Sequence, residues 1–176
     1  MSAQKAPPKG ALRFVMWGGI LALLALAMAP FAQDVLRIAG RARLHAPDIG
    51  LILAEPVMVQ LHIASAVTAF FIGLVILFRR KGTGMHKTLG WAWVAAMVTT
   101  AVSSLFITGL NGDAYSLIHL ITGWVIVALP LGVRAIRNRN VNAHKRFMTG
   151  LFVGGLLVAG AFTFVPGRLM WNVFFS

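Results

Sequence analysis

The chain has no cysteine, only four acidic residues, and just 11% charged residues among 176. Without cysteine there can be no disulfide, no thiolate ligation of haem, no iron–sulfur cluster and none of the usual zinc sites, which leaves histidine as the main candidate ligand. Scarce charge combined with 59% hydrophobic residues and a mean hydropathy of +0.82 excludes an ordinary soluble domain. The four acids, Asp34, Asp48, Glu55 and Asp113, all fall outside the long apolar runs. No carboxylate is therefore available within a membrane, which weighs against proton or metal-ion translocation.

What is present instead is a series of uncharged runs over residues 14–33, 56–78, 88–112, 114–133 and 147–167. Each reaches or exceeds the roughly 20 residues a helix needs to cross about 30 Å of hydrocarbon. The expectation is an all-α membrane protein with five transmembrane helices. The net charge of +12 invites a nucleic-acid reading, but the charges follow topology: 12 of the 16 basic residues fall on one side of the runs and all four acids on the other. The positive-inside rule then puts the N-terminus in the cytoplasm and the C-terminus in the periplasm of a bacterial inner membrane, with lipid and not nucleic acid as the partner. Lys5, Lys9 and Arg13 before an apolar stretch, with Ala27-Met28-Ala29 after it, resemble a signal peptide. The run is long for that role, so an uncleaved anchor is expected.

Four segments follow: a cytoplasmic tail over 1–13, an anchor over 14–33, a periplasmic interfacial loop over 34–55, and a histidine-bearing bundle of four helices over 56–176. Within the loop, Val35, Ile38, Ala39 and Ala42 share one helical face and Asp34, Arg37 and Arg41 the other, predicting a short helix lying in the interface. Thr83 is placed to cap the third apolar helix. Asn140 or Asn142 is placed to cap the fifth, which puts His144 in its first turn. Asn111-Gly112-Asp113 predicts a tight turn, Pro166-Gly167 a loosened helix end, and Trp171 an interfacial belt residue.

The histidines repeat. His62 lies 24 residues before His86-Lys87 and His119 lies 25 before His144-Lys145, with offsets of 57 and 58 between the copies. Two duplicated hairpins entering the membrane the same way form a parallel repeat, and in an up-down-up-down bundle alternate helices face across the core. His62 then pairs with His119, and His86 with His144. His62 is sixteen residues from Phe78 and His119 seventeen from Ile136, so both lie about 24 to 25 Å from the basic end at 1.5 Å per residue. Two tiers result. Small residues lie beside them: Ser65, Ala66, Ala69 and Gly73 below His62, Gly123 after His119, Gly90 after His86, and Gly150, Gly154 and Gly155 on the fifth run.

Plainer readings compete. Glycines on membrane helices commonly mean close packing. His86 and His144 beside lysine fit contact with lipid phosphate, while His62 or His119 could bond a neighbouring carbonyl. The four together, duplicated and level, favour haem b at two sites, with one imidazole on each side of each ring. Arg168, at a helix end, could hold a haem propionate, a quinone carbonyl or a lipid phosphate. His45 reads as a loop residue.

The stretches Gly82 to Trp91, Ser116 to Leu120, Ala143 to Met148 and Ala159 to Arg168 resemble the predicted bacterial membrane proteins grouped as domain of unknown function 2306. The histidine pattern resembles the di-haem b-type cytochromes, including the ascorbate-reducible and ferric-reductase-like groups. The chain has five apolar runs where the eukaryotic members have six, and none of their substrate-binding motifs. That pattern implies electron transfer with quinone or quinol, or with a respiratory or photosynthetic complex; as an enzyme the chain would be a membrane-bound oxidoreductase. The alternative is a haem-free accessory subunit of a larger membrane assembly.

Overall fold

A computed structural model describes residues 36–37, 40, 42–107 and 117–175. The first apolar run, the Asn111–Asp113 turn and most of the interfacial helix expected over 34–44 lie outside these residues. The chain divides into two units, 1–44 with 176, and 45–175. In the first, residues 36 and 37 are helical and the Gly40 N–H donates to Leu36 O at 2.9 Å.

The second unit is helical throughout, with no strand among its described residues. It begins with α1, Ile49–Leu53, a short helix inside the segment expected to be loop. Asp48 starts it, its side chain accepting from Gly50 N at 2.9 Å. Helix α2, Val57–Phe78, follows Pro56, and the Gln60 amide ties its first turn back to Glu55 O at 2.7 Å and Leu53 O at 3.1 Å. At its far end Lys81 Nζ donates to Ile76 O and Leu77 O, carbonyls that the helix leaves without an internal donor.

Helix α3, Gly84–Ser104, starts where Thr83 Oγ1 accepts from His86 N at 3.2 Å, as the sequence indicates. It stops well before residue 112, where the apolar run ends. Ser103 and Ser104 turn their hydroxyls back onto Thr99 O and Ala101 O, and tight turns follow through Ile107. Helix α4, Leu117–Arg137, contains Pro130. Arg139, at φ 58°, closes a two-residue turn into α5, Val141–Phe162, which Asn140 caps by accepting from Ala143 N at 3.0 Å.

Helix α5 is α-helical over Val141–Gly150, π-helical over Leu151–Val158 and α-helical again over Ala159–Phe162. Beyond the pair Gly154-Gly155, no residue pattern signals the π segment. Its wider turn brings Gly154 under Trp124, where a methyl group would come within 3.2 Å of the ring, and Gly155 against Val125 and Met97. Gly167, at φ 87°, then turns the chain into α6, Leu169–Phe174. Helix α6 packs on α1, and the N–H groups of His45 and Asp48 donate to Phe174 O and Val173 O.

Among the described residues three helices are long and apolar enough to cross a membrane: α2, α4 from His119 to Arg137, and α5. Helix α3 has the length of a span, but His86, Lys87 and four hydroxyl residues near its far end dilute its hydropathy. Helix α2 packs on α3, α3 on α4, α4 on α5, and α5 returns to α2. Between them lies one core of Ala69, Trp93, Met97, Leu129, Leu151 and Phe152 with their neighbours. Outward-facing residues stay apolar, among them Phe71, Val98, Leu120 and Val127. Lipid is the medium that makes such a surface stable.

Candidate functional site

Helical periodicity puts His62 in the second turn of α2 and His119 in the first turn of α4, while His86 and His144 occupy the first turns of α3 and α5. All four are half-buried.

His62 Nδ1 lies 3.0 Å from Thr100 O and 3.3 Å from Ser103 Oγ, both on α3. A carbonyl only accepts, so Nδ1 carries the proton and the neutral ring keeps its lone pair on Nε2. The same segment of α3 reaches the helix of His119, because Ser104 Oγ and Thr122 Oγ1 are 2.8 Å apart and Thr122 is one turn beyond that histidine. Thr100 Oγ1 donates to Ser65 Oγ at 2.9 Å. The final turn of α3 thus ties together the helices carrying His62 and His119. His119 Nε2 is enclosed and out of reach of solvent.

At the basic end the pattern recurs on other helices. His144 Nδ1 is 2.9 Å from Gly132 O on α4, so it too donates to a carbonyl and leaves its lone pair on Nε2. His86 Nδ1 is buried with no hydrogen-bond partner. Burial above all holds the His86 imidazole below its ordinary pKa.

The glycines divide into two kinds. At Gly73 a methyl group would strike the Phe152 ring at 2.5 Å and Trp93 Nε1 at 2.9 Å, and Gly150 and Gly154 lie against Trp124. These positions, expected as slots, are closed by aromatic side chains and serve helix packing, the plainer reading. Gly90 and Gly123 differ. Each lies one turn beyond a histidine, His86 and His119, and a methyl group at either would meet nothing within 4 Å, as at Gly160; Gly90 is half-buried, whereas Gly123 is exposed on the outer surface.

Arg168 is half-buried at the start of α6, beyond the end of α5 opposite His144. It therefore lies apart from His86 and His144. Loop residue His45 bonds its own neighbour, Ala46 O, at 2.7 Å. Among the described residues no three His, Asp or Glu side chains converge.

The family model for a predicted membrane protein, DUF2306, matches residues 59–175. The chain belongs to this family. The matched region holds all four histidines and Arg168 and covers α3 to α6 and most of α2. No curated protein and no solved structure matches the chain.

Proposed function

We propose that the chain carries electrons across the membrane as a b-type cytochrome, with one haem between His62 and His119 and a second between His86 and His144. The observation that carries the reading is the shared tautomer of His62 and His144. Each gives its Nδ1–H to the backbone carbonyl of an adjacent helix, at 3.0 Å and 2.9 Å. Metal-bound histidines characteristically spend their second nitrogen in this way, which fixes the ring and turns the Nε2 lone pair to the metal. The open space at half-buried Gly90, one turn beyond His86, supports the basic-end site. Haem held there by His62, His119, His86 and His144 would supply the one-electron chemistry.

In this reading α2 to α5 form an up-down-up-down bundle of two repeated hairpins, residues 14–33 supply a fifth span, and the basic end faces the cytoplasm. Arg168 sits at the opposite end, suited to a propionate there. Quinol or a larger complex is the electron partner in this reading. A haem-free accessory subunit is the second reading, favoured by the glycines packed under Trp124 and Phe152. Purified full-length protein, expressed with ample haem, decides between them. Two haems per chain by pyridine haemochrome support the cytochrome; a colourless protein with no Soret band overturns it.

A further inference from the structure

Helices α3 and α4 separate over their basic halves, leaving a cleft of about 610 Å³ that no described side chain fills. Its walls grade from charged to apolar. Arg134, Arg137, Asn138 and Trp91 line its basic end, and Val94, the lipid-facing Val98 and Leu129 line it farther along the helices. Trp91 is 56% exposed and sits four residues after Lys87, at the level where tryptophan marks a membrane interface. From Arg137 to Leu129 the helical rise gives about 12 Å, enough to receive the upper part of an acyl chain.

The amphiphile that matches this gradient has a negative head beside two guanidinium groups and a hydrocarbon tail directed inward. We propose that the cleft is a binding site for an anionic phospholipid of the surrounding bilayer, its phosphate held by Arg134 and Arg137 and one acyl chain lying along Val94, Val98 and Leu129. Arginine pairs suit phosphate through fork geometry, and basic pockets between membrane helices favour anionic head groups. Charge disfavours the chain's own first apolar run as occupant, because that run would bring Lys5, Lys9 and Arg13 beside the two arginines. This site is separate from the histidines and does not depend on haem.

Native mass spectrometry of the full chain in detergent, with phosphatidylglycerol and phosphatidylcholine offered in turn, tests the assignment. One phosphatidylglycerol should bind in preference, by about fivefold per basic residue and so roughly thirtyfold for two. Arg134→Gln with Arg137→Gln should erase the preference. Arg79→Gln with Arg80→Gln, equally cationic but outside the cleft, should keep it. Val98→Trp retains both arginines while covering the apolar stretch of the cleft, and should weaken phosphatidylglycerol binding by itself. The proposal is overturned if the native chain shows no preference, if the Arg79/Arg80 variant loses it equally, or if Val98→Trp binds as before. A co-purifying quinone lost on Val98→Trp would overturn it too, as would ready disulfide cross-linking of Val98→Cys to a cysteine placed within residues 14–33.

Discussion

The two histidine tiers differ in how they are held. Around His62 and His119 the last turn of α3 supplies Thr100, Ser103 and Ser104, which reach both neighbouring helices through hydroxyls and a carbonyl. Around His86 and His144 the described residues form no such ladder. One imidazole is tied to Gly132 O, and the other has no partner for its buried nitrogen. A hydroxyl ladder makes a rigid, preorganised environment, whereas the basic-end tier keeps a buried polar nitrogen that costs roughly 1 to 3 kcal/mol unless a ligand engages its ring. Such an unmatched group marks a position that ligand binding would stabilise.

The largest effect that would break this comparison is ligand loss. His62→Ala or His119→Ala should each remove one of two haems, lowering the pyridine haemochrome stoichiometry from two to one, and the double variant should lose no more. His86→Ala and His144→Ala should remove the other haem in the same non-additive manner. Independent, partial losses from the two members of either pair would refute that pairing.

The next contrast separates slot from packing. Gly73→Leu drives a side chain into Phe152 and Trp93, and should lower the melting temperature in detergent, an overpacking cost of about 1 to 3 kcal/mol. Gly90→Leu enters open space and should leave the fold intact while diminishing only the basic-end haem. If Gly90→Leu instead binds two haems with unchanged spectra, the space beside His86 is not a haem slot.

That division of the glycines marks the limit of what the sequence made legible. Spacing alone placed His86 and His144 in first turns, because Thr83 and Asn140 are strong capping residues with a donor at the right offset. It could not separate Gly90 from Gly73, since that depends on which aromatic ring arrives from another helix. The π segment of α5 was equally hidden: nothing in a hydropathy run distinguishes 3.6 residues per turn from a wider coil, yet the wider coil sets which residues of α5 face Trp124 and Met97. Helix α3 extended less far than its apolar run for a local reason, the serine hydroxyls at 103 and 104 competing for backbone carbonyls. Helix α1 lay unseen because five residues give too short a pattern.

Capping gives a smaller effect. Thr83→Ala removes the acceptor for His86 N and should destabilise α3 by about 1 kcal/mol, with the basic-end haem spectrum shifted or its occupancy reduced and the other haem unchanged. Equal disturbance of both haems would show that the tiers are mechanically coupled through α3.

Smallest of all should be Ser103→Ala. The His62 ring donates to Thr100 O at 3.0 Å and meets Ser103 Oγ only at 3.3 Å, so the hydroxyl is the weaker of two partners. Ser103 Oγ also donates to Thr99 O at 2.7 Å, an acceptor that stays within the helix when the hydroxyl is gone. Removing it deletes no obligatory acceptor for Nδ1–H and leaves the lone pair on Nε2, so both haems should remain. What changes is polarity beside the ring: with one fewer hydroxyl near the imidazole, the midpoint potential of the haem at His62 should shift while that at the basic end stays fixed. A potentiometric titration resolving two components would read this directly. Loss of the haem itself on Ser103→Ala would mean that the serine, and not the Thr100 carbonyl, fixes the tautomer of His62, and the reading of this tier from its shorter bond would then be wrong.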